Sequence, residues 1–333
     1  MEFQMRTNWI AFALPLLAWM GCQKEQALME PVLVETIDLN SVYGTRTGMA
    51  PLGPDYRYQA YYSLVDNELV ATHDKYDWEV ALTHEDNPKL VINSAIPGLR
   101  IAYGSEDWTE WTDEFDLTWL YDLPTGQASD LAIGLNWANQ TLVMDRGLDP
   151  LGEHRGFKKF RVERIQDSLI VQSASLSGEN ESIFAAIIDS AYYQTEWHLD
   201  NGVKRCAPPK NSWDLLLSNY LHVYDPLTDP FPYQVTGVLL NPHDRMGAKF
   251  EAVTWDEFES NAQEVTPLLV PELDVIGFEW KYYDFELGYI INEDDTFVVR
   301  CGDQGTFVLS FTGFHNDMGE PGYPQFVFRR LPD

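Results

Sequence analysis

The chain has 333 residues, with 22 Lys and Arg against 52 Asp and Glu, and a formal net charge of −30 at pH 7. Hydrophobic residues make up 45% and aromatic residues 14% of the chain, which is enough for a sizeable core and excludes global disorder. The negative charge repels phosphate groups and argues against nucleic-acid binding and docking on anionic lipid, while it remains compatible with small molecules, sugars, cations and basic partners.

The N-terminal segment has the pattern of an export signal. An apolar run from Trp9 to Met20 is too short to span a bilayer and matches the apolar core of a signal peptide. The Gly21-Cys22 pair that follows resembles the lipobox of bacterial lipoproteins, in which the Cys is lipidated. A start at Met5 instead of Met1 would give the signal a more conventional basic beginning. An ordinary secretory signal with an incidental Cys is the alternative.

We therefore predict a lipoprotein signal peptide over residues 1–21 and lipidation of Cys22. Gln23-Lys24-Glu25 resembles the short signal that sends some lipoproteins to the outer face of the outer membrane. No apolar run after Met20 approaches 18 residues, so the predicted attachment is through lipid alone, at the cell surface.

Residues 22–54 are polar, with scattered Pro and Gly, and are predicted to be a lipidated tether. Short β-type runs bounded by Gly, Pro, Asn and Asp then recur along the chain. They include residues 90–92, 141–144, 169–171, 297–299, 307–309 and 326–328. Helical signals are few, and Thr254 is the predicted cap of one short helix over residues 254–259. The sequence predicts an all-β fold that is mainly antiparallel.

Similar segments occur twice in the same order, which indicates an internal repeat. The matched positions are Trp78 and Trp213, Asn93 and Asn241, Trp108 and Trp255, Ile133 and Ile276, and Thr141 and Thr296. We predict two related β units, over residues 55–182 and 183–333. The repeated Trp residues are more typical of packing than of function.

Sequence motifs of the common enzyme classes are absent. The chain has no Walker sequence, GxGxxG, HExxH, GxSxG or EF-hand loop. Its 52 acidic residues can supply a pair of carboxylates for hydrolysis, but at that number proximity has no specificity. We predict that the protein is not an enzyme, and an acidic-pair hydrolase remains an alternative.

Besides Cys22, the cysteines are Cys206 and Cys301, which form one disulfide or remain two thiols. Two Cys without close Cys or His partners do not give a zinc site of the usual spacing, so no zinc site is predicted. The iron of a haem group is the one metal that the sequence leaves as a candidate. His and Met side chains can bind haem iron at its axial positions. His243 with Met246, and His315 with Met318, each share one loop and are candidate ligands, although exposed His and Met residues are common in loops.

The second unit resembles the HmuY family of exported bacterial lipoproteins. The resemblance rests on residues 212–217, 233–241, 274–281, 296–300, 311–314 and 319–326, and extends more weakly to residues 55–182 through the repeat. It implies an all-β fold, a lipid anchor and haem capture without catalysis, with haem passed to an outer-membrane receptor. Haem-binding members place a His directly after the Trp-Asp block, where this chain has Ser218 in the second unit. In the first unit Thr83 precedes His84, so His84 and His222 become further candidate ligands.

A different class of function remains open on the same fold. A surface adhesion module would bind a glycan or a basic protein instead of haem. Exposed Trp and Tyr on one face would favour glycan stacking, and residues 108–111 with Trp119 are the segment to examine. Packing in the hydrophobic core is the competing interpretation for these Trp residues.

Overall fold

The computed structural model describes residues 43–110, 113–224 and 231–333. The described residues form an antiparallel β structure, which confirms the predicted fold class. The predicted signal peptide, Cys22 and the tether up to residue 42 lie outside the described residues. Among the helices that are described, none has the length and hydropathy needed to cross a membrane.

Most strands belong to four sheets. The first contains β1 (Arg46–Met49), β20 (Pro321–Arg330), β19 (Thr306–His315), β18 (Thr296–Cys301) and β15 (Arg245–Phe250), in that order. The second contains β14 (Phe231–Leu240), β13 (Leu215–Tyr224), β2 (Tyr58–Ser63) and β3 (Glu68–Asp74). The third contains β12 (Gly202–Lys204), β11 (Gln194–His198), β4 (Val80–Thr83) and β5 (Leu90–Ile92). The fourth contains β10 (Ser182–Ile187), β9 (Ser168–Ala174), β8 (Phe157–Ile165), β7 (Leu142–Arg146) and β6 (Leu99–Tyr103). A separate hairpin joins β16 (Lys281–Asp284) to β17 (Gly288–Ile291).

Helical structure is short. Helix α1 spans Ala262–Val265, and single 3-10 turns cover Lys75–Asp77, Glu114–Asp116, Ala128–Asp130, Trp255–Glu257 and Thr266–Leu268. The short helix predicted after Thr254 is the 3-10 turn Trp255–Glu257. The Thr254 backbone N–H donates to Glu257 Oε2 at 3.2 Å, which closes a capping box.

The sheets pack in pairs around two large cores. The first and second sheets enclose one core, which includes Leu215, Val238, Trp280, Phe297 and Phe326. The third and fourth sheets enclose the other core, which includes Val80, Leu82, Leu142, Phe160 and Trp197. Each such side chain, once fully buried, contributes about 1.5–3 kcal/mol.

Two hairpins are exchanged between the halves of the chain. Strand β2 pairs with β13, with Tyr62 opposite Leu215, so the hairpin β2–β3 belongs to the sandwich built mainly by the C-terminal half. Strand β11 pairs with β4, with Trp197 opposite Val80, so β11–β12 belongs to the sandwich of the N-terminal half. The predicted boundary between residues 182 and 183 therefore lies within β10, and the pairings β1–β20, β2–β13, β4–β11 and β9–β10 all cross it.

The last part of the predicted tether is structural. Strand β1 (Arg46–Met49) pairs with β20, and Ala50 and Leu52 are fully buried. Residues 46–52 of the segment predicted to be a tether are therefore part of the fold. No local signal marks β1, because its partner strand lies at the opposite end of the chain.

Two buried asparagines make the same contacts in the two halves. Asn93 Nδ2 donates to the carbonyl oxygens of Lys75 (2.7 Å) and Trp78 (3.0 Å). Asn241 Nδ2 donates to those of Lys210 (2.8 Å) and Trp213 (2.7 Å). Each amide therefore holds the turn that precedes a core strand.

The acids that follow the two Trp residues are also matched. Glu79 accepts from the Leu199 backbone N–H (2.8 Å) and from Arg146 Nε (2.6 Å). Asp214 accepts from the Leu64 backbone N–H (2.7 Å) and from Arg245 Nε (2.8 Å). Both carboxylates are buried, so each joins an exchanged hairpin to its host sandwich through a compensated charge.

Candidate functional site

The predicted haem ligand His84 is held by its neighbours. Its Nδ1 lies 3.0 Å from the Tyr192 carbonyl oxygen and its Nε2 lies 2.8 Å from Thr195 Oγ1. Burial lowers the pKa of His84. Both ring nitrogens of this residue are therefore engaged in hydrogen bonds.

The two loop pairs also lie in separate settings. Met246 is in β15, and its Sδ accepts from Arg300 Nη2 at 2.6 Å. Burial lowers the pKa of His243, which precedes that strand. His315 ends β19, where its carbonyl oxygen accepts from Gln325 Nε2 at 2.7 Å, and Met318 is 78% exposed in the following turn.

The structure does not join these candidates into a pair. Across residues 43–110, 113–224 and 231–333, no hydrogen bond or ring contact links two of the six side chains His84, His222, His243, Met246, His315 and Met318. Each of them stays a predicted ligand.

His222 lies beside a large aromatic groove. Its ring centroid is 4.7 Å from that of Tyr224 and 4.9 Å from that of Phe278. Both neighbours line a groove of about 590 Å³ between the end of the β13–β14 hairpin and the β16–β17 hairpin. We call this the tyrosine groove. Its lining is Tyr56, Asn219, Tyr224, Tyr233, Gln234, Val235, Thr236, Phe278, Glu279, Lys281, Tyr282, Tyr283 and Tyr289.

The tyrosine groove carries an unusual amount of exposed aromatic surface. Tyr224, Tyr233, Tyr282 and Tyr283 are each more than two-fifths exposed although they lie in strands. A contiguous exposed apolar patch on a folded protein generally marks a binding surface. The size falls within the range of cavities that bind small ligands.

Lys281 is the cationic side chain of the groove. It is only 7% exposed, and its Nζ lies 4.4 Å from the Trp280 ring centroid and 4.9 Å from that of Phe314. Burial lowers the pKa of Lys281 to about 7. The amine therefore changes between its charged and neutral forms near neutral pH.

A smaller cavity lies near the two repeated Trp residues. It measures about 140 Å³, and its lining includes Trp78, Trp213, Tyr61 and Tyr220. Trp78 Nε1 donates to Gln59 Oε1 at 3.1 Å, whereas the buried Nε1 of Trp213 has no hydrogen-bond partner among the described residues. A cavity of this size accommodates roughly one aromatic ring, so it is too small for a tetrapyrrole.

The Trp residues proposed for glycan stacking are covered by cations. Lys159 Nζ lies 5.1 Å and Arg161 Cζ lies 5.3 Å from the Trp108 ring centroid. Arg100 Cζ lies 4.7 Å from that of Trp119. Trp111 lies outside the described residues. Cations therefore lie over the rings of Trp108 and Trp119, whereas the tyrosine groove leaves aromatic rings exposed.

Cys206 and Cys301 are free thiols in the part of the chain that the structure describes. Cys206 is half-buried and Cys301 is fully buried in the core of the first two sheets. Of the two alternatives left open by the sequence, the structure shows two thiols.

Sequence reasoning missed the tyrosine groove. Its residues come from segments far apart in the chain, from Tyr56 to Tyr289, and Tyr is common in strands. The adjacent Tyr282-Tyr283 pair was an available signal for exposed aromatic surface. Two consecutive aromatic residues in one strand point to opposite faces, so both cannot pack into the same core.

Comparison with known proteins agrees with this architecture. The family model described as "HmuY protein" matches residues 55–328. Among curated proteins the comparison finds no match. A structure from Bacteroides fragilis NCTC 9343, whose description calls it a lipoprotein, has 13% identity and a TM-score of 0.23, and the alignment covers 51% of this chain and 93% of that one. Apo PinO from Porphyromonas gingivitis has 8% identity and a TM-score of 0.25, with 86% and 97% covered. These TM-scores are too low to support a structural argument, whereas the family model spans most of the chain. The chain belongs to the HmuY protein family.

Proposed function

We propose that this protein is an exported lipoprotein, anchored in the outer membrane through Cys22 and exposed at the cell surface, that binds haem or a related porphyrin for iron acquisition without catalysis. It would pass this ligand to an outer-membrane receptor. Membership of the HmuY family supports the ligand class. The observation that carries the proposal is the tyrosine groove of about 590 Å³.

The donor set of the groove fits a porphyrin. Aromatic faces stack on a flat conjugated ring, and Tyr is one of the side chains that bind haem iron in proteins. Tyr224, Tyr233, Tyr282 and Tyr283 are exposed enough to reach a ligand. His222 adjoins the groove through Tyr224 and Phe278, so it is the sequence candidate that we favour as an additional ligand.

The groove also offers a local exception to the acidity of the protein. Haem carries anionic propionates, and the chain has a formal charge of −30. Protonated Lys281 is the cation in the lining. Glu279 is the acid in the lining, and its Oε2 lies 3.6 Å from Lys249 Nζ. An anionic group is therefore tolerated here better than elsewhere on an acidic surface.

A glycan is the second candidate ligand, and the exposed tyrosine rings of the groove favour it. Tyr224, Tyr233, Tyr282 and Tyr283 offer flat apolar faces on which a sugar ring can pack.

We also propose that the two β units are duplicated. The matched hydrogen bonds of Asn93 and Asn241, and those of Glu79 and Asp214, support this. Parallel roles at equivalent strand positions are what a duplicated unit would retain.

The ligand class is tested by titrating the full chain in detergent with haemin and, in a parallel arm, with mixed oligosaccharides. Haem binding predicts a saturable Soret change with about one haemin per chain, larger than that of a control protein of similar acidity. Saturable quenching of Tyr and Trp fluorescence by an oligosaccharide, with no Soret change, would identify a glycan instead of haem as the ligand. No response in either arm contradicts both.

A further inference from the structure

A mixed set of metal-binding side chains lies where the exchanged hairpins meet. His73 ends the β2–β3 hairpin, Asp77 lies in the following 3-10 turn, and Cys206 follows strand β12. One ligand atom from each residue lies within 4.8 Å of the other two. Imidazole nitrogen, carboxylate oxygen and thiol sulfur together form a donor set typical of zinc.

The ring of His73 is oriented for coordination. Its Nδ1 lies 3.0 Å from the Asp74 carbonyl oxygen, which can only accept, so Nδ1 carries the hydrogen. The lone pair of Nε2 then accepts from Tyr61 Oη at 3.2 Å, and a bound ion would take the place of this hydrogen bond. Metal-binding His residues commonly donate their other ring N–H to a backbone carbonyl in this way.

An uncompensated carboxylate adjoins the cluster. Glu196 is 2% exposed, and its Oε2 accepts from the Cys206 backbone N–H at 2.7 Å. Glu79 and Asp214, which are equally buried, are each paired with arginine. No Lys or Arg ion pair reaches Glu196 or Asp77 in the part of the chain that the structure describes.

A divalent cation would offset the negative charge of these carboxylates. When it binds, a coordinating thiol loses its proton to solvent as the metal–sulfur bond forms. The buried Glu196 beside the cluster therefore adds to the three-residue geometry as support for a cation.

We propose that His73 Nε2, an Asp77 carboxylate oxygen and Cys206 Sγ bind a zinc-type divalent ion. Ligand atoms around tetrahedral zinc lie about 3.3–3.8 Å apart, so only small side-chain rotations are required. The ion would link the β2–β3 hairpin to the segment after β12, and so connect elements of the two sandwiches. This site is separate from the tyrosine groove, so its test does not depend on the proposed ligand.

The test is a titration with Co²⁺ and then Zn²⁺ of the full chain in detergent, with Cys22→Ser in every variant so that only Cys206 and Cys301 carry thiols. The chain whose only substitution is Cys22→Ser should bind about one Co²⁺, with thiolate-to-cobalt charge-transfer absorption that Zn²⁺ abolishes. Binding should tighten as pH rises, because a proton leaves with each metal bound.

Cys206→Ser and His73→Gln should each lose at least about tenfold in Zn²⁺ affinity. Cys206→Ser should also lose the charge-transfer band. Cys301→Ala is the matched control and should keep both. Circular dichroism identifies variants that do not fold. If His73→Gln fails to fold, the band of the otherwise wild-type chain and its loss in Cys206→Ser still decide the question. A chain without the charge-transfer band, or a band retained in Cys206→Ser, overturns the proposal.

Discussion

Lys281 and Trp280 are neighbours in sequence, yet the Lys281 Nζ lies 4.4 Å from the centroid of the Trp280 ring, while Trp280 is fully buried in the core. The amine therefore lies between the packed interior and the tyrosine groove. Cation–π contact stabilises its charged form, whereas burial favours the neutral form, and burial has the larger effect.

This balance predicts a pH-dependent stability. The pKa of Lys281 falls from 10.5 to about 7 on folding, so the folded state binds fewer protons than the unfolded state between these values. The Lys281 contribution to the free energy of unfolding should therefore rise with pH through that window, by up to about 5 kcal/mol, since one pKa unit corresponds to about 1.4 kcal/mol. Urea denaturation of wild type and Lys281→Met across the window measures the difference. A constant difference between the two proteins would show that the amine does not titrate in this way.

Breaking a buried ion pair should be costly. Arg245→Met leaves Asp214 buried without its cation, which is expected to reduce the free energy of unfolding by about 3–5 kcal/mol. Arg205→Met removes the exposed partner of Asp189 and should change little. Equal effects of the two substitutions in urea denaturation would contradict the role assigned to Asp214.

The exchanged hairpins predict that the halves do not fold alone. A fragment of residues 183–333 lacks β1, β2 and β3, and a fragment of residues 43–182 lacks β11, β12 and all of β10 except Ser182. Each should therefore show little near-ultraviolet circular dichroism and poor amide dispersion in NMR spectra. Mixing them should restore both signals. Cooperative unfolding of either fragment alone is the result that this topology does not allow.

Because Asn93 and Asn241 make equivalent contacts, replacing either one should lower the free energy of unfolding by a similar amount. Asn93→Ala and Asn241→Ala each remove three hydrogen bonds, two that Nδ2 donates to carbonyl oxygens and one that Oδ1 accepts from a backbone N–H. Each should reduce the free energy of unfolding by about 2–4 kcal/mol. A large cost at one position with none at the other would argue against equivalent roles.

The sequence predicts where strands form better than it predicts which strands pair with each other. Residues 90–92 coincide with β5, and the apolar runs at residues 297–299 and 307–309 lie within β18 and β19, because local alternation and β-branched residues determine where a strand forms. The exchange of hairpins has no such local signal, since it depends on contacts between Tyr62 and Leu215, which are nearly half the chain length apart in sequence. The His73–Asp77–Cys206 cluster and the tyrosine groove escape prediction for the same reason.

The most direct test of the central claim is haemin titration of groove variants, in which the Soret band reports binding. Replacing Tyr224, Tyr233, Tyr282 and Tyr283 one at a time by Ala removes a stacking surface, while replacement by Phe removes only the phenol oxygen. Tyr58→Ala, at a tyrosine 43% exposed and outside the groove lining, is the matched control. We expect at least one Ala variant to weaken haemin binding by about tenfold or more, which corresponds to about 1.4 kcal/mol, with Tyr58→Ala unchanged. If all four Ala variants bind haemin as wild type does, the tyrosine groove is not the binding site.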